Sequence, residues 1–250
     1  MTVSIAFAGK GGTGKTTLAG LLVRYLIENS KKPVLAVDAD SNANFNEVLG
    51  VEVKETLGHA REQMKVGVAQ GMTKDMFMEM KIEEAIVEND DFDLIVMGQP
   101  EGPGCYCAAN SLLVKFLDRL IVNYPYVVVD NEAGMEHLSR LTTNNVDILL
   151  AVSDSSRRGI LSAARIVDLS SKLHLNIKHK YLIINLAKEG QEDILKEQVA
   201  QYDLDLIGII PEDSEVRKFD LEGKPTIQLP KDSVALNAAY SIFDRIMDVL

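Results

Sequence analysis

Two stretches of the 250-residue chain combine residue types and spacings that could do chemistry: 9-GKGGTGKT-16 and 101-EGPGCYCAAN-110. The first fits the pattern G-x-x-x-x-G-K-[ST], in which a glycine-rich turn aims consecutive backbone N–H groups at one centre and the following helix adds the positive end of its dipole. That arrangement suits a polyphosphate. Glycines 9, 11, 12 and 14 allow the turn, and Gly11, Gly12, Thr13, Gly14, Lys15, Thr16 and Thr17 are the expected nucleotide contacts. Lys15 is expected to reach the β- and γ-phosphates, and the Thr16 hydroxyl to ligate Mg²⁺.

The second stretch holds both cysteines of the chain, Cys105 and Cys107. A bridge between them would close a strained ring, so reduced thiols are the expectation. As soft ligands they offer two sulfurs where a structural thiolate site wants four, at about 2.3 Å from the metal. A second copy of the chain would complete such a site. Side chains at i and i+2 of a straight strand stand roughly 7 Å apart, and Gly102, Pro103 and Gly104 supply a bend that could bring the thiols together. Two small buried apolar residues are the plainer reading of the same pair.

Elements of suitable kind stand where they could position these groups. Short β-branched runs at 2–9, 33–40, 92–98, 126–131, 147–153, 180–186 and 206–211 alternate with amphipathic segments, the pattern of a mostly parallel sheet of seven to eight strands with helices on both faces. The glycine run follows the first strand and opens a helix with Leu18, Leu21, Leu22 and Leu26 at helical spacing. A last helix shows a stripe of Val234, Ala238, Ile242, Ile246 and Val249, expected to dock on the sheet. The Met-rich segment 41–91 is read as helices at the sheet edge with a core role for the methionines. One P-loop domain over 1–250 is expected.

A net charge of −11 and a sequence pI near 4.9 argue against nucleic acid or anionic lipid as partner. No segment approaches the about 20 apolar residues of a membrane span, and the N-terminus lacks a basic leader. A cytoplasmic protein is expected.

With Lys10 after the first glycine, "KGGTGKTT" resembles the deviant Walker A box of the family that includes the MinD and ParA ATPases and the nitrogenase iron protein. The resemblance implies ATP and ADP as ligands and an ATP-bound sandwich homodimer in which Lys10 reaches the nucleotide of the other subunit. It also implies that "VDADSNANF" is a first switch, with Asp40 orienting the attacking water and Asp38 supporting Mg²⁺ or the water network. By the same likeness "DNEAG" is the start of a second switch, with Asp130 holding Mg²⁺ through water or Thr16. Asn185 and Pro211 stand where relatives hold the adenine, although Leu186 follows the asparagine where they often carry a lysine or arginine.

The stretches "CYCAANSLL" and "GMEHLSR" further resemble the accessory ATPases of CooC type, which help insert nickel into carbon monoxide dehydrogenase, and their relatives serving acetyl-CoA synthase. That likeness implies a metallochaperone holding Ni²⁺ or Zn²⁺ between Cys105 and Cys107 of two subunits and serving a nickel-enzyme client. Two alternatives stay open. A ParA- or MinD-like positioning ATPase leaves the C-x-C pair unexplained. An iron–sulfur electron donor resembling the nitrogenase iron protein would carry its thiols far apart in sequence.

Overall fold

The computed structural model describes residues 2–40, 42–67, 71–98, 117–131, 145–172 and 176–250. Cys105 and Cys107 lie outside the described residues. Eight strands form one sheet in the order β3-β4-β2-β5-β1-β6-β7-β8. They are β1 (Val3–Gly9), β2 (Val34–Ala39), β3 (Ile86–Glu88), β4 (Phe92–Val96), β5 (Tyr126–Asn131), β6 (Asn145–Ser153), β7 (Asn176–Ala187) and β8 (Leu206–Pro211). Every neighbouring pair is parallel except β3 with β4. The sheet is of the expected class and count.

The helices, in chain order, are α1 (Lys15–Glu28), α2 (Phe45–Leu49), α3 (Leu57–Val66), α4 (Lys74–Ala85), α5 (Arg157–Lys172), α6 (Glu192–Val199), α7 (Ser214–Leu221) and α8 (Val234–Met247). A 3₁₀ turn spans Thr226–Gln228, and residues 117–121 are helical.

The two-residue period of a strand divides the core. Ile5 and Phe7 of β1 enter one face with Leu18 and Leu22 of α1 and Ile242 and Phe243 of α8. Ala6 and Ala8 enter the other with Val37, Met64, Met78 and Ile82. At the far end of the sheet, Ala151 and Leu182 pack with Ile160, Ala163, Leu195 and Val199 of α5 and α6. The small alanines of β1 leave room for the bulk arriving from α3 and α4.

Two expectations need correction. The 41–91 segment is not purely helical or confined to the edge: Phe45 packs on the first face, Met64, Phe77 and Met78 on the second, and Ile86–Glu88 pair antiparallel with β4. The helical period runs unbroken up to Ala85 and conceals so short a strand. In α8 the buried face is Ala235, Leu236, Ala239, Ile242, Phe243 and Ile246, while Val234 and Val249 are exposed. A stripe stepped by four residues drifts off a face that repeats every 3.6.

Candidate nucleotide site

The site is built at the carboxyl ends of β1, β2, β5, β7 and β8, where an open α/β sheet places its ligands. β1 ends at Gly9 and α1 begins at Lys15, with Gly14 as its N-cap and no side chain capping the first turn. The amino-terminal N–H groups of α1 are therefore left for an anion. Gly12 and Gly14 adopt left-handed φ of 80° and 84°, a region that side-chain-bearing residues rarely enter.

Three contacts hold the loop. The Thr13 hydroxyl donates to the Lys10 carbonyl at 2.9 Å, and Lys15 Nζ donates to the same oxygen at 3.4 Å. The amide nitrogen of Asn185, at the end of β7, donates to the Thr13 carbonyl at 2.9 Å. Thr13 and Lys15 are buried, whereas Lys10, Gly11 and Gly12 face solvent. Lys15 is thus the buried cation of the loop, and Lys10 projects outward.

Two buried carboxyls stand beneath the loop. Asp38 accepts from the Asp40 N–H at 3.0 Å and from the Phe45 N–H at 2.9 Å. Burial pushes its carboxyl up to about 6, against the lowering effect of those two donors. Both of its oxygens are engaged by backbone, so its evident work is to fold the 40–45 turn. Asp40 is only partly buried and accepts from the Asn42 N–H at 2.8 Å.

Asp130 is 1% exposed. Burial raises its carboxyl to about 7; the Thr16 hydroxyl and the Lys15 charge pull down, and the charges of Asp38 and Asp40 push up. Its Oδ1 is buried without a hydrogen-bond partner, and an orphaned buried carboxylate oxygen calls for a donor or a cation. Mg²⁺ fits this place on that observation, because the oxygen adjoins Thr16 and a divalent cation would favour the ionised form. Among the described residues no group of three or more His, Cys, Asp or Glu could hold a metal.

A cavity of about 480 Å³ opens beside Gly12 and Gly14 and runs back between α1 and the end of β8. Leu18, Leu21, Ile210 and Val216 give it apolar walls, and Asn185 and Pro211 also line it. Asn185 does so with its amide nitrogen already bonded to Thr13.

Sequence reading missed Asp213. Its Oδ1 accepts from the Glu215 N–H at 2.8 Å and caps α7; its Oδ2 accepts from the Ser233 hydroxyl at 2.7 Å and the Ala235 N–H at 3.1 Å, at the start of α8. One carboxylate clasps the amino ends of two helices behind the cavity, and these donors hold it below its ordinary value despite burial. "PEDSEV" and "KDSVA" each read as a cap, but nothing in the sequence joins them.

The profile of the CobQ/CobB/MinD/ParA nucleotide binding domain matches residues 4–227. An uncharacterized ATP-binding protein of Methanocaldococcus jannaschii is 40% identical over 249 residues, 98% of each chain. The carbon monoxide dehydrogenase accessory protein CooC of Rhodospirillum rubrum is 31% identical over 238 residues, 88% of each chain. Among solved structures, the septum site-determining protein MinD of Pyrococcus horikoshii, complexed with Mg-ADP, superposes with a TM-score of 0.74 at 22% identity, covering 100% of this chain and 97% of its own. No helix among the described residues is long and apolar enough to cross a membrane.

Proposed function

The chain belongs to the CobQ/CobB/MinD/ParA nucleotide-binding family of ATPases, and from that premise we propose that it is an ATP-switched accessory protein that carries Ni²⁺ or Zn²⁺ to a nickel enzyme. The backbone from Gly11 to Thr17 cradles the phosphates and Lys15 neutralises them. Thr16 and Asp130 hold Mg²⁺, which when bound supplies charge neutralisation to the phosphates. Asp38 fixes the turn that carries Asp40, and Asp40 orients the water that attacks the terminal phosphate. Lys10, solvent-facing in one copy, reaches the nucleotide of a second copy. The observation that supports this nucleotide chemistry best is the orphaned Asp130 oxygen beside Thr16, beneath the glycine loop.

For the cargo, support comes from the 31% identity with a carbon monoxide dehydrogenase accessory protein, joined to Cys105-Tyr106-Cys107. Two copies contribute four thiolates to one soft-metal site, and carbon monoxide dehydrogenase or acetyl-CoA synthase is the client. ATP and metal assist one another only as far as both prefer the same dimer.

The test is metal uptake by the full chain, wild type against Cys105→Ser, Cys107→Ser and the double variant, with ADP affinity measured alongside. We expect stoichiometric Ni²⁺ or Zn²⁺ in the wild type, lost in each variant with ADP affinity retained. Equal uptake by the double variant would remove the cargo role. A second reading, a positioning ATPase of MinD kind, is favoured by the backbone likeness to MinD; it predicts dimerisation that follows ATP and ignores metal.

A further inference from the structure

A polar cavity stands apart from the nucleotide site. Leu150 and Val152 of β6 pack on the α1 side of the sheet, whereas Ala151 between them packs with α5 and α6, so those two helices cover the opposite face. Between the first turn of α5 and the end of α6 opens a cavity of about 350 Å³, lined by Arg157, Ile160, Gln198, Gln201 and Tyr202. It shares no residue with the cavity beside the glycine loop.

The fold fixes its walls. Ile160 is fully buried and belongs to one apolar cluster with Leu195 and Val199 of α6. The Gly159 N–H donates to the Ser156 hydroxyl at 3.0 Å, and the Ser156 N–H donates to Asp154 at 2.9 Å. With Ser156 capping the helix, what α5 brings to the cavity is the Arg157 side chain. At the end of α6 the Gln201 N–H donates to the Gln198 carbonyl at 3.3 Å and the Tyr202 N–H to the Val199 carbonyl at 2.9 Å.

The polar side chains around the cavity do not satisfy one another. Gln198 Oε1 is buried without a hydrogen-bond partner, which destabilises the fold until a donor reaches it. Among the described residues the side chains of Arg157, Gln201 and Tyr202 make no hydrogen bond or ion pair. In a chain of net charge −11, an exposed guanidinium with no carboxylate beside it is a cation open to a ligand. Its planar fork matches a carboxylate through two parallel N–H bonds, and the Gln201 amide and Tyr202 hydroxyl can add contacts. The Gln198 oxygen makes the opposite demand, for an N–H or O–H. A plain carboxylate answers the cation and leaves that oxygen unpaired; an acid that also carries a hydroxyl or amino group answers both.

We propose that this cavity binds a small hydroxy or amino acid, its carboxylate on Arg157 and its hydroxyl or amino group donating to Gln198 Oε1. The volume equals that of roughly ten waters of the liquid, room for a short-chain acid above Ile160. Binding here is independent of the nucleotide reading, which concerns the other face of the sheet.

The experiment is calorimetric titration of the full chain by L-malate, L-aspartate, succinate and inorganic phosphate. Malate and aspartate carry a donor beside a carboxylate; succinate has the same two carboxylates and no donor. We expect malate or aspartate to bind about tenfold or more tightly than succinate, the margin of one paired buried acceptor. Arg157→Gln should weaken the better acid about tenfold or more. Gln198→Met keeps the length of the side chain and removes the acceptor, so it should bring that acid down to the level of succinate. In thermal melts without ligand, Gln198→Met should be no less stable than the wild type, because the oxygen it removes has no partner to lose. Equal affinity of the wild type for succinate, or a destabilised Gln198→Met, would overturn the role of Gln198. Binding unchanged in Arg157→Gln would place the acid elsewhere. Failure of both malate and aspartate to bind, or binding of phosphate alone, would overturn the proposal.

Discussion

Asp38 and Asp130 occupy the same register on the adjacent parallel strands β2 and β5, both buried beneath the glycine loop. They differ in what satisfies them. Asp38 folds a turn through two backbone donors, whereas Asp130 keeps one oxygen unpartnered beside Thr16. Neighbouring strands thus present one carboxyl satisfied by backbone and one with an oxygen left unpartnered.

The pair predicts an unusual pH dependence. Both folded-state values, about 6 for Asp38 and about 7 for Asp130, lie above the ordinary 3.8. The folded protein therefore binds these protons more tightly than the unfolded chain. The stability they contribute is fully present below the ordinary carboxylate range and is lost as pH rises from there through about 7. Asp130→Asn removes one of these titrations. In denaturant melts without nucleotide, the variant should gain on the wild type between pH 5 and pH 8; a constant difference would contradict the raised value.

Lys15→Ala is expected to abolish measurable ADP binding in calorimetry. The lysine is the buried cation of the loop and its Nζ is already anchored to the Lys10 carbonyl. Lys10→Ala should spare ADP binding by the single copy and weaken ATP-dependent dimerisation in light scattering, because Lys10 faces solvent.

Gly14→Ala should impair nucleotide binding more than its size suggests. A Cβ there would lie 2.4 Å from Asn185 Nδ2, at a φ of +84°. Asn185 would have to release the Thr13 carbonyl. Asn185→Ala tests the same brace from the other side: about 1–3 kcal/mol of stability should go, as for a buried acceptor left unpaired, and ADP affinity should fall with it. Unchanged affinity in Asn185→Ala would show that the loop holds its shape unaided.

Asp213→Ala removes the cap shared by α7 and α8 and should destabilise the fold by at least the ~1 kcal/mol of a single lost cap. Because its donors hold Asp213 below its ordinary value, its contribution is present above that value and fades as pH falls through the folded one. The deficit of the variant in denaturant melts should therefore shrink at low pH.

Asp40→Ala should slow ATP turnover and let the ATP-bound dimer accumulate, read by steady-state phosphate release and light scattering. Asp40 is exposed enough to meet a ligand, and the turn beneath it is held by Asp38. Turnover unchanged from wild type would count against Asp40 as the residue that orients water.

What the sequence determined by itself is local. The glycine spacing, the lysine inside it, the apolar strand runs and the Leu18–Leu26 stripe are each dictated by a few neighbouring residues, and each stands in the structure as the spacing predicts. Where local signals conflict or are brief, the tertiary structure decided. It turned α8 about its axis to bury Phe243, made Ile86–Glu88 an edge strand once β4 offered a partner, and engaged Asn185 with Thr13, 172 positions away in sequence. It also brought Asp213 to Ser233. Such contacts depend on which surfaces the packed sheet brings face to face, and pairings across the fold leave no period in the chain.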